Sequence, residues 1–406
     1  MARIAVIGAG AAGSFCAIHL KRMAPALSVT VFEAGRKPLA KVAITGGGRC
    51  NLTNSFEGIR SLAEAYPRGE RVMKRALMAF SQADTCAWFQ AEGVPLVLQE
   101  DHCWFPASQN AMDIVHCLER GMKGVDLRLN CPVQRIEMAG QTGHDNTVIP
   151  GQTGYLVNGE PFDKVVVTTG GAPKGLPFLE PLGLELVPPV PSLFTFNVPD
   201  PGLKALSGLV VDATVGLSGT KFQASGPLLI TDWGLSGPAT LKLSSYAARH
   251  LSEAGYKGTV AVNWFSSAQA DVRERLQEMA SGNPQKQVSS VHPLPARLWG
   301  HLLVKAGLRE DLRWAELGSK GLNRLTETLT NSCYPLSGKS KFREEFVTAG
   351  GVALSNLNLS TLECKQHPGL YFAGEVLDID AITGGFNLQA AWSTGYVAAK
   401  SIVQSL

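Results

Sequence analysis

Residues 4–13 read Ile4-Ala5-Val6-Ile7-Gly8-Ala9-Gly10-Ala11-Ala12-Gly13. Four apolar residues in succession fit a short parallel strand buried on both faces. The glycines at 8, 10 and 13 follow it directly and open a helical stretch that runs to about Met23. Gly8 permits a sharp turn, Gly10 lets the backbone approach a pyrophosphate, and Gly13 lets helix pack on strand. The free N–H groups and positive end of that helix would face the phosphates. A second strand, Ser28 to Phe32, ends at Glu33, twenty residues past Gly13 and placed to accept hydrogen bonds from an adenosine ribose. Strand, glycines, helix, strand and acid in register predict a Rossmann-like α/β domain with a dinucleotide site.

Composition agrees. The chain has 406 residues, 43 of them glycine, with 45% hydrophobic and 17% charged residues. That balance excludes a disordered or fibrous protein and predicts a large core. A net charge of +3 is too weak by itself to argue for a nucleic-acid or membrane partner. The eight cysteines show no C-x-x-C and the eight histidines no metal-ligand spacing, so reduced thiols and no zinc site are expected. No apolar run reaches the ~18 residues of a membrane span. The first strand leaves no room for a signal peptide, so a cytoplasmic location is expected.

Along the chain, helices are expected over roughly 71–92 and 108–121. Residues 125–168 look β-rich, with Val165-Val166-Val167 a buried strand before Thr168-Thr169-Gly170-Gly171. Proline crowds 181–201, which suits a linker or domain crossing. Short alternating segments over 193–264 predict a small antiparallel barrel or sheet. Helical spacing follows over 267–330, with Val272, Leu276 and Met279 on one face and Leu298, Leu302 and Ala306 on another. Strand and glycine character returns after 346. The α/β domain is thus interrupted by an insertion and resumed at the C-terminus.

Two further glycine clusters stand out. Gly46-Gly47-Gly48 is poor in helix or strand and suits close backbone approach to a flat ring or phosphate. Next to it, Arg49 can pair with phosphate or carboxylate, and Asn51 offers donor and acceptor. The alternative is a flexible surface loop. Near the C-terminus, Gly374-Glu375 can set a carboxylate against a ribityl chain or pyrophosphate. A helix beginning near Gly385 can aim N–H groups at a flavin pyrimidine. The alternative is that these are helix caps and turns.

The chain resembles the BaiN-type bacterial flavoproteins, which are NAD(P)/FAD-dependent or aminoacetone-oxidase-like oxidoreductases. The resemblance rests on GAGAAG at 8–13, ITGGGRCNLTN at 44–54, TTGG at 168–171, LLITDWGLSGP at 228–238, VTAGGVAL at 347–354 and GLYFAGEVLDIDAITGGFNLQAAWSTGY at 369–396. It implies an FAD-binding domain of the two-dinucleotide-binding type over 1–185 and 342–406. A β-barrel-like insert of 186–264 with 328–341 would interrupt it, carrying a helical insert of 265–327. By the same likeness Gly8, Gly10, Ala11, Ala12 and Gly13 meet the pyrophosphate, and Glu33 and Ala34 the adenosine ribose. Val133 meets the adenine, and Thr169 and Gly170 support the adenosine side. Gly46, Gly47, Gly48, Arg49, Cys50 and Asn51 line the flavin. Gly374 and Glu375, with Gly384, Gly385, Phe386, Asn387 and Leu388, hold the ribityl chain and ring edge. Asp232 and Cys364 depart from the pattern, since relatives often carry His and Ser there, and the stretch after Gly171 is shortened.

Other residues weigh less. Cys50 lacks a second cysteine nearby in sequence and reads as a packing or ring-contact residue rather than a redox thiol. His102 and Trp104 read as loop or core residues, Asp232 as a turn or N-cap acid, and Lys339, Lys341 and Arg343 as a solvated connector. The expected function is an FAD-dependent oxidoreductase that takes hydride transiently from NADPH or NADH and reduces an activated C=C bond in a small molecule. The alternatives are an oxidase of a small amino ketone and a reductase of uridine in ribosomal RNA. A nucleic-acid partner is not favoured at this charge. A flavin-binding protein without catalysis is the remaining class.

Overall fold

In the computed structural model, which describes residues 1–139, 154–171, 175–339 and 347–406, the opening apolar run forms strand Arg3–Ile7. It lies at the centre of a five-stranded sheet in the order Leu370–Phe372, Lys164–Val167, Arg3–Ile7, Ser28–Phe32, Asp126–Arg128. Every pairing in this sheet is parallel. Ile4, Ala5, Val6 and Val165 to Val167 are wholly buried, as strands covered on both faces must be. Helices Ala11–Met23 and Phe386–Gln404 pack together against the sheet. Gly395 makes their approach close: a Cβ there would stand 2.7 Å from the Ala12 carbonyl oxygen.

The chain divides into two compact units, Met1–Val190 with Val347–Leu406, and Pro191–Phe346. The second holds a seven-stranded antiparallel sheet whose spatial order begins with Ser332–Leu336 and ends with Gly338–Lys339. Those two edge strands are joined through Ser337 alone, so the sheet is rolled until its edges approach, as in a barrel. Helices Gln269–Gly282, Ala296–Lys305 and Gly318–Thr330 share one apolar core with this sheet, built around Trp264, Trp299, Trp314 and Tyr334.

One sequence expectation needs correction. The helix expected over 71–92 is two helices, Glu70–Ala79 and Gln82–Ala91. Ser81 separates them with a capping box: its Oγ accepts from the Asp84 N–H at 3.2 Å, while Asp84 Oδ2 accepts from the Ser81 N–H at 2.7 Å. The proline-dense segment is a domain crossing, as expected, with the boundary between the two units after Val190. It contains the 3-10 turn Pro177–Leu182 and the extended strand Leu186–Ser192, which pairs with Val347–Val352. Pro188, Pro189 and Pro191 fit there because extended backbone suits their fixed φ and a two-stranded sheet leaves edge positions that need no donor. Lys341 and Arg343 lie outside the described residues, as does the stretch just after Gly171. Among the described residues no helix is long and apolar enough to cross a membrane.

Candidate functional site

At the C-terminal edge of the parallel sheet the three loop glycines differ in their surroundings. Gly8 has φ +106°, and a Cβ on it would meet the Thr168 carbonyl oxygen at 2.6 Å. At Gly13 a Cβ would stand 1.9 Å from the Gly8 carbonyl oxygen and 2.4 Å from Thr168 Oγ1. A Cβ on Gly10 would meet no protein atom within 4 Å. So Gly8 and Gly13 are fixed by packing, and Gly10 presents bare backbone outward at the helix N-terminus, where unpaired N–H groups suit an anion.

Glu33 ties this loop to the second strand. Its Oε2 accepts from the Ala9 N–H at 2.9 Å and its Oε1 from the Gly35 N–H at 2.7 Å. The Glu33 carbonyl accepts from the Cys131 N–H at 2.8 Å and the Gly35 carbonyl from the Asn130 N–H at 2.9 Å. These bonds bring the segment bearing half-buried Val133 alongside Glu33 and exposed Ala34.

The triple glycine follows helical residues that begin at Ala40, and the helix breaks at Thr45. Gly46, Gly47 and Gly48 have φ of +58°, +69° and +81°, a left-handed run that side chains rarely tolerate. A Cβ on Gly47 or Gly48 would find open space within 4 Å, so here too bare backbone faces outward. Arg49 is exposed, with its guanidinium 4.6 Å from the Phe105 ring centroid. Cys50 turns inward: its side chain is fully buried among Phe15, Ile18, Val42 and Leu52, and burial pushes its thiol pKa up to about 12. A thiol held protonated in this way is inert, and only the main chain of Cys50 can face a ligand.

Three further segments converge. Gly374 has φ +77° and sits so tightly on Ala12 that a Cβ would stand 2.7 Å from the Ala12 Cβ. Beside it, Glu375 Oε1 accepts from the Thr348 N–H at 2.8 Å, and Oε2 lies 3.4 Å from Lys41 Nζ. Gly170 and Gly171 pass against the same carboxylate, while Thr169 is exposed. Thr168 Oγ1 contacts the carbonyl oxygens of Ile7 and Gly8 at 3.0 and 2.9 Å.

The loop before the C-terminal helix is strongly braced. Gly385, with φ +88°, abuts Asn51 and Thr53. Asn54 Nδ2 donates to the Gly384 carbonyl at 3.0 Å. Phe386 is buried edge-on to Phe56 and Tyr66, and the Tyr66 hydroxyl donates to its carbonyl at 2.9 Å. Asn387 brackets the loop, accepting from the Ala381 N–H at 2.9 Å and donating to the Ala381 carbonyl at 3.0 Å. Leu388 packs on the cluster around Phe15. Thus Phe386, Asn387 and Leu388 use their side chains to hold the turn at the N-terminus of this helix.

Sequence reading missed Lys41, Tyr66, Arg68 and Asp380. Arg68 pairs with the fully buried Asp380 and so pins the loop to the start of helix Glu70–Ala79. Lys41 had a signal, a cation a few residues before a glycine cluster. Arg68 and Asp380, over 300 residues apart, had none. The minor candidates have ordinary surroundings. His102 lies 3.5 Å from Glu57, Trp104 pairs with Thr53 in a small sheet, and Asp232 is exposed in the turn Thr231–Gly234. Lys339 Nζ lies 5.2 Å from the Tyr256 ring centroid.

The HI0933-like protein Rossmann domain model matches residues 2–401. The ribosomal RNA dihydrouridine synthase of Haemophilus influenzae is 30% identical over 414 residues, covering 98% of this chain and 97% of that protein. Its namesake in Escherichia coli is 31% identical over 421 residues with the same coverages, 98% and 97%. The 3-dehydro-bile acid delta(4,6)-reductase of Clostridium scindens is 27% identical over 424 residues, covering 100% of both.

Proposed function

We propose a function that proceeds from a fact of membership: this chain belongs to the HI0933-like Rossmann family, a family of FAD-binding flavoprotein oxidoreductases. The reading is that it reduces a C=C bond conjugated to a carbonyl, and that its substrate is a uridine in ribosomal RNA. The observation that carries the cofactor half is the pair of bare backbone faces, at Gly10 and at Gly47-Gly48, on one edge of the sheet. The substrate half rests on the two full-length relatives named for that reaction.

The residues present fit FAD. Gly10, Ala11 and Ala12 would take the pyrophosphate on main-chain N–H groups, with Lys41 the nearby cation. Glu33 keeps acceptor capacity beyond its two backbone bonds and would accept from the adenosine ribose, beside Ala34 and Val133. Thr169 and Gly170 would support the adenosine side. Gly46 to Asn51 would line the ring, and Glu375 would receive ribityl hydroxyls while Lys41 and the Thr348 N–H fix its orientation. Gly384 and Gly385 would bring the N-terminus of helix Phe386–Gln404 to the ring edge, where its positive end favours the reduced, anionic ring. Bound FAD supplies the hydride chemistry. NADPH or NADH is proposed as the transient electron donor.

The reading is tested by purifying the protein with its flavin, reducing it anaerobically with NADH and NADPH, and adding unmodified ribosomal RNA. Rapid bleaching, reoxidation by the RNA and appearance of one dihydrouridine are expected. A colourless protein that FAD cannot reconstitute would refute the cofactor. Bleached flavin unaffected by RNA, with an unchanged dihydrouridine content in a deletion strain, would refute the substrate. A second reading, reduction of a small conjugated enone, is favoured by the full-length bile-acid reductase relative. Reoxidation by such an enone and not by RNA would select it.

A further inference from the structure

We propose that the helical part of the insert carries a binding groove for the phosphodiester backbone of ribosomal RNA, a role that rests on the RNA reading above. Helices Gln269–Gly282, Ala296–Lys305 and Gly318–Thr330 each contribute to one open groove of about 750 Å³. Arg273, Lys305 and Arg324, one from each helix, line it and are exposed.

Their partners are the informative part. Among the described residues none of the three is paired with a carboxylate. Arg273 donates to Asn323 Oδ1 at 2.5 Å, and Lys305 donates to the Cys333 carbonyl at 3.1 Å with its ammonium 4.2 Å from the Tyr334 ring centroid. The acid in the groove, Glu327, is held by neutral amides: Gln269 Nε2 donates to Oε2 and Asn331 Nδ2 to Oε1, both at 2.9 Å. Elsewhere in the insert Arg309 lies 3.7 Å from Asp311 and 3.6 Å from Glu316. The groove therefore orients Arg273 and Lys305 on uncharged acceptors and leaves the charge of all three cations for a ligand. Three cations spread over three helices exceed what one phosphate needs and suit successive phosphates of a strand. Backbone contacts of this kind add affinity without reading sequence, leaving base choice to the flavin-binding unit.

The magnitude follows from counterion release. Each phosphate neutralised on a single strand contributes about 0.7 to the slope of log K against log salt. Losing three contacts makes the slope shallower by about 2 and weakens binding about 50-fold at 0.15 M salt, measured from a 1 M reference.

The experiment uses the full-length flavoprotein and unmodified, in-vitro-transcribed ribosomal RNA, with fluorescence anisotropy across a salt series. The triple variant Arg273→Gln, Lys305→Gln, Arg324→Gln is expected to show that loss and that slope change, with its flavin absorbance intact. A control, Lys221→Gln with Lys257→Gln, removes exposed cations of the same unit outside the groove and should change the slope far less. Should the triple variant not fold, Arg324→Gln alone should cost about 4-fold and about 0.7 of slope. If the wild type binds RNA and reduces uridine but the groove variants keep its slope, the groove is overturned and the RNA reading stands. If the wild type neither binds RNA nor reduces uridine, the RNA reading falls and takes the groove with it. Equal loss of affinity for polyglutamate and for RNA would overturn the RNA assignment in favour of an acidic polypeptide.

Discussion

Gly10→Ala separates a glycine needed by the protein from one needed by its ligand. The Gly10 backbone, at φ −81° and ψ −166°, is open to any residue, and an added Cβ meets nothing within 4 Å. Losing glycine's unfolded-state entropy favours the variant by ~0.4–1 kcal/mol. Alanine as an N-cap costs a comparable amount, so the apoprotein should change by less than about 0.5 kcal/mol. With FAD the methyl group presses on the pyrophosphate, an overpacking cost of about 2 kcal/mol, or about 30-fold in Kd. FAD at 100 times the wild-type Kd stabilises the native state by about 2.7 kcal/mol, and at that concentration the variant gains only about 0.9 kcal/mol. At roughly 2–4 °C per kcal/mol, the FAD-induced rise in Tm should shrink from about 5–11 °C to about 2–4 °C. Thermal melts with and without FAD, checked by equilibrium flavin binding, measure both terms. Gly13→Ala is the contrast: its Cβ meets fixed backbone at 1.9 Å, so the apoprotein itself should lose ~1–3 kcal/mol or more. If Gly10→Ala lowers the apo midpoint as Gly13→Ala does, or keeps the full FAD shift, the bare face at Gly10 is not where the cofactor lies.

Three other outcomes are expected. Arg68→Met leaves Asp380 buried without its guanidinium and should cost about 3–5 kcal/mol in urea unfolding, partly restored by adding Asp380→Asn; an unchanged midpoint would deny the pair its bracing role. His19 is buried with Nε2 unpartnered, and burial, aided by Arg22, lowers its pKa from 6.5 to about 4. Between those values the unfolded chain binds the extra proton, so stability present above pH 6.5 is lost as pH falls towards 4, by up to about 3 kcal/mol; His19→Phe should flatten that part of the stability profile. Iodoacetamide at pH 8 should label exposed Cys333 and spare Cys50, whose thiol is held protonated; peptide mapping that finds Cys50 labelled first would revive it as a redox thiol.

What could be read from sequence was what local spacing encodes. The loop glycines carry distinct duties in the sequence, and the surroundings of Gly8 and Gly13 match theirs because turn and packing are settled within a few residues, while Gly10 has open space beside it. The break at Ser81 is also written locally, as Ser81-x-x-Asp84, but the apolar residues on either side read as one continuous helix. Leu186–Ser192 was hidden for the opposite reason, since its prolines argue against helix without announcing a strand. The inward turn of Cys50 depends on a left-handed φ of +61°, which residue type does not betray. Arg68 meets Asp380 only through the folded chain, so nothing local marks either as a brace for Gly384 and Gly385.

The parallel sheet has a consequence for how the protein is made. Its strand Leu370–Phe372 pairs beside Lys164–Val167, yet roughly 200 residues are synthesised between them. At ~5–20 residues per second a ribosome needs about 10–40 s to cover that distance. Throughout that interval the edge Val165-Val166-Val167, wholly buried in the finished protein, has no neighbour on one side. The insert can reach its own core while the first unit waits for its last strand and C-terminal helix. The nascent chain is therefore exposed to aggregation and chaperone capture until Leu370–Phe372 and Phe386–Gln404 have been made.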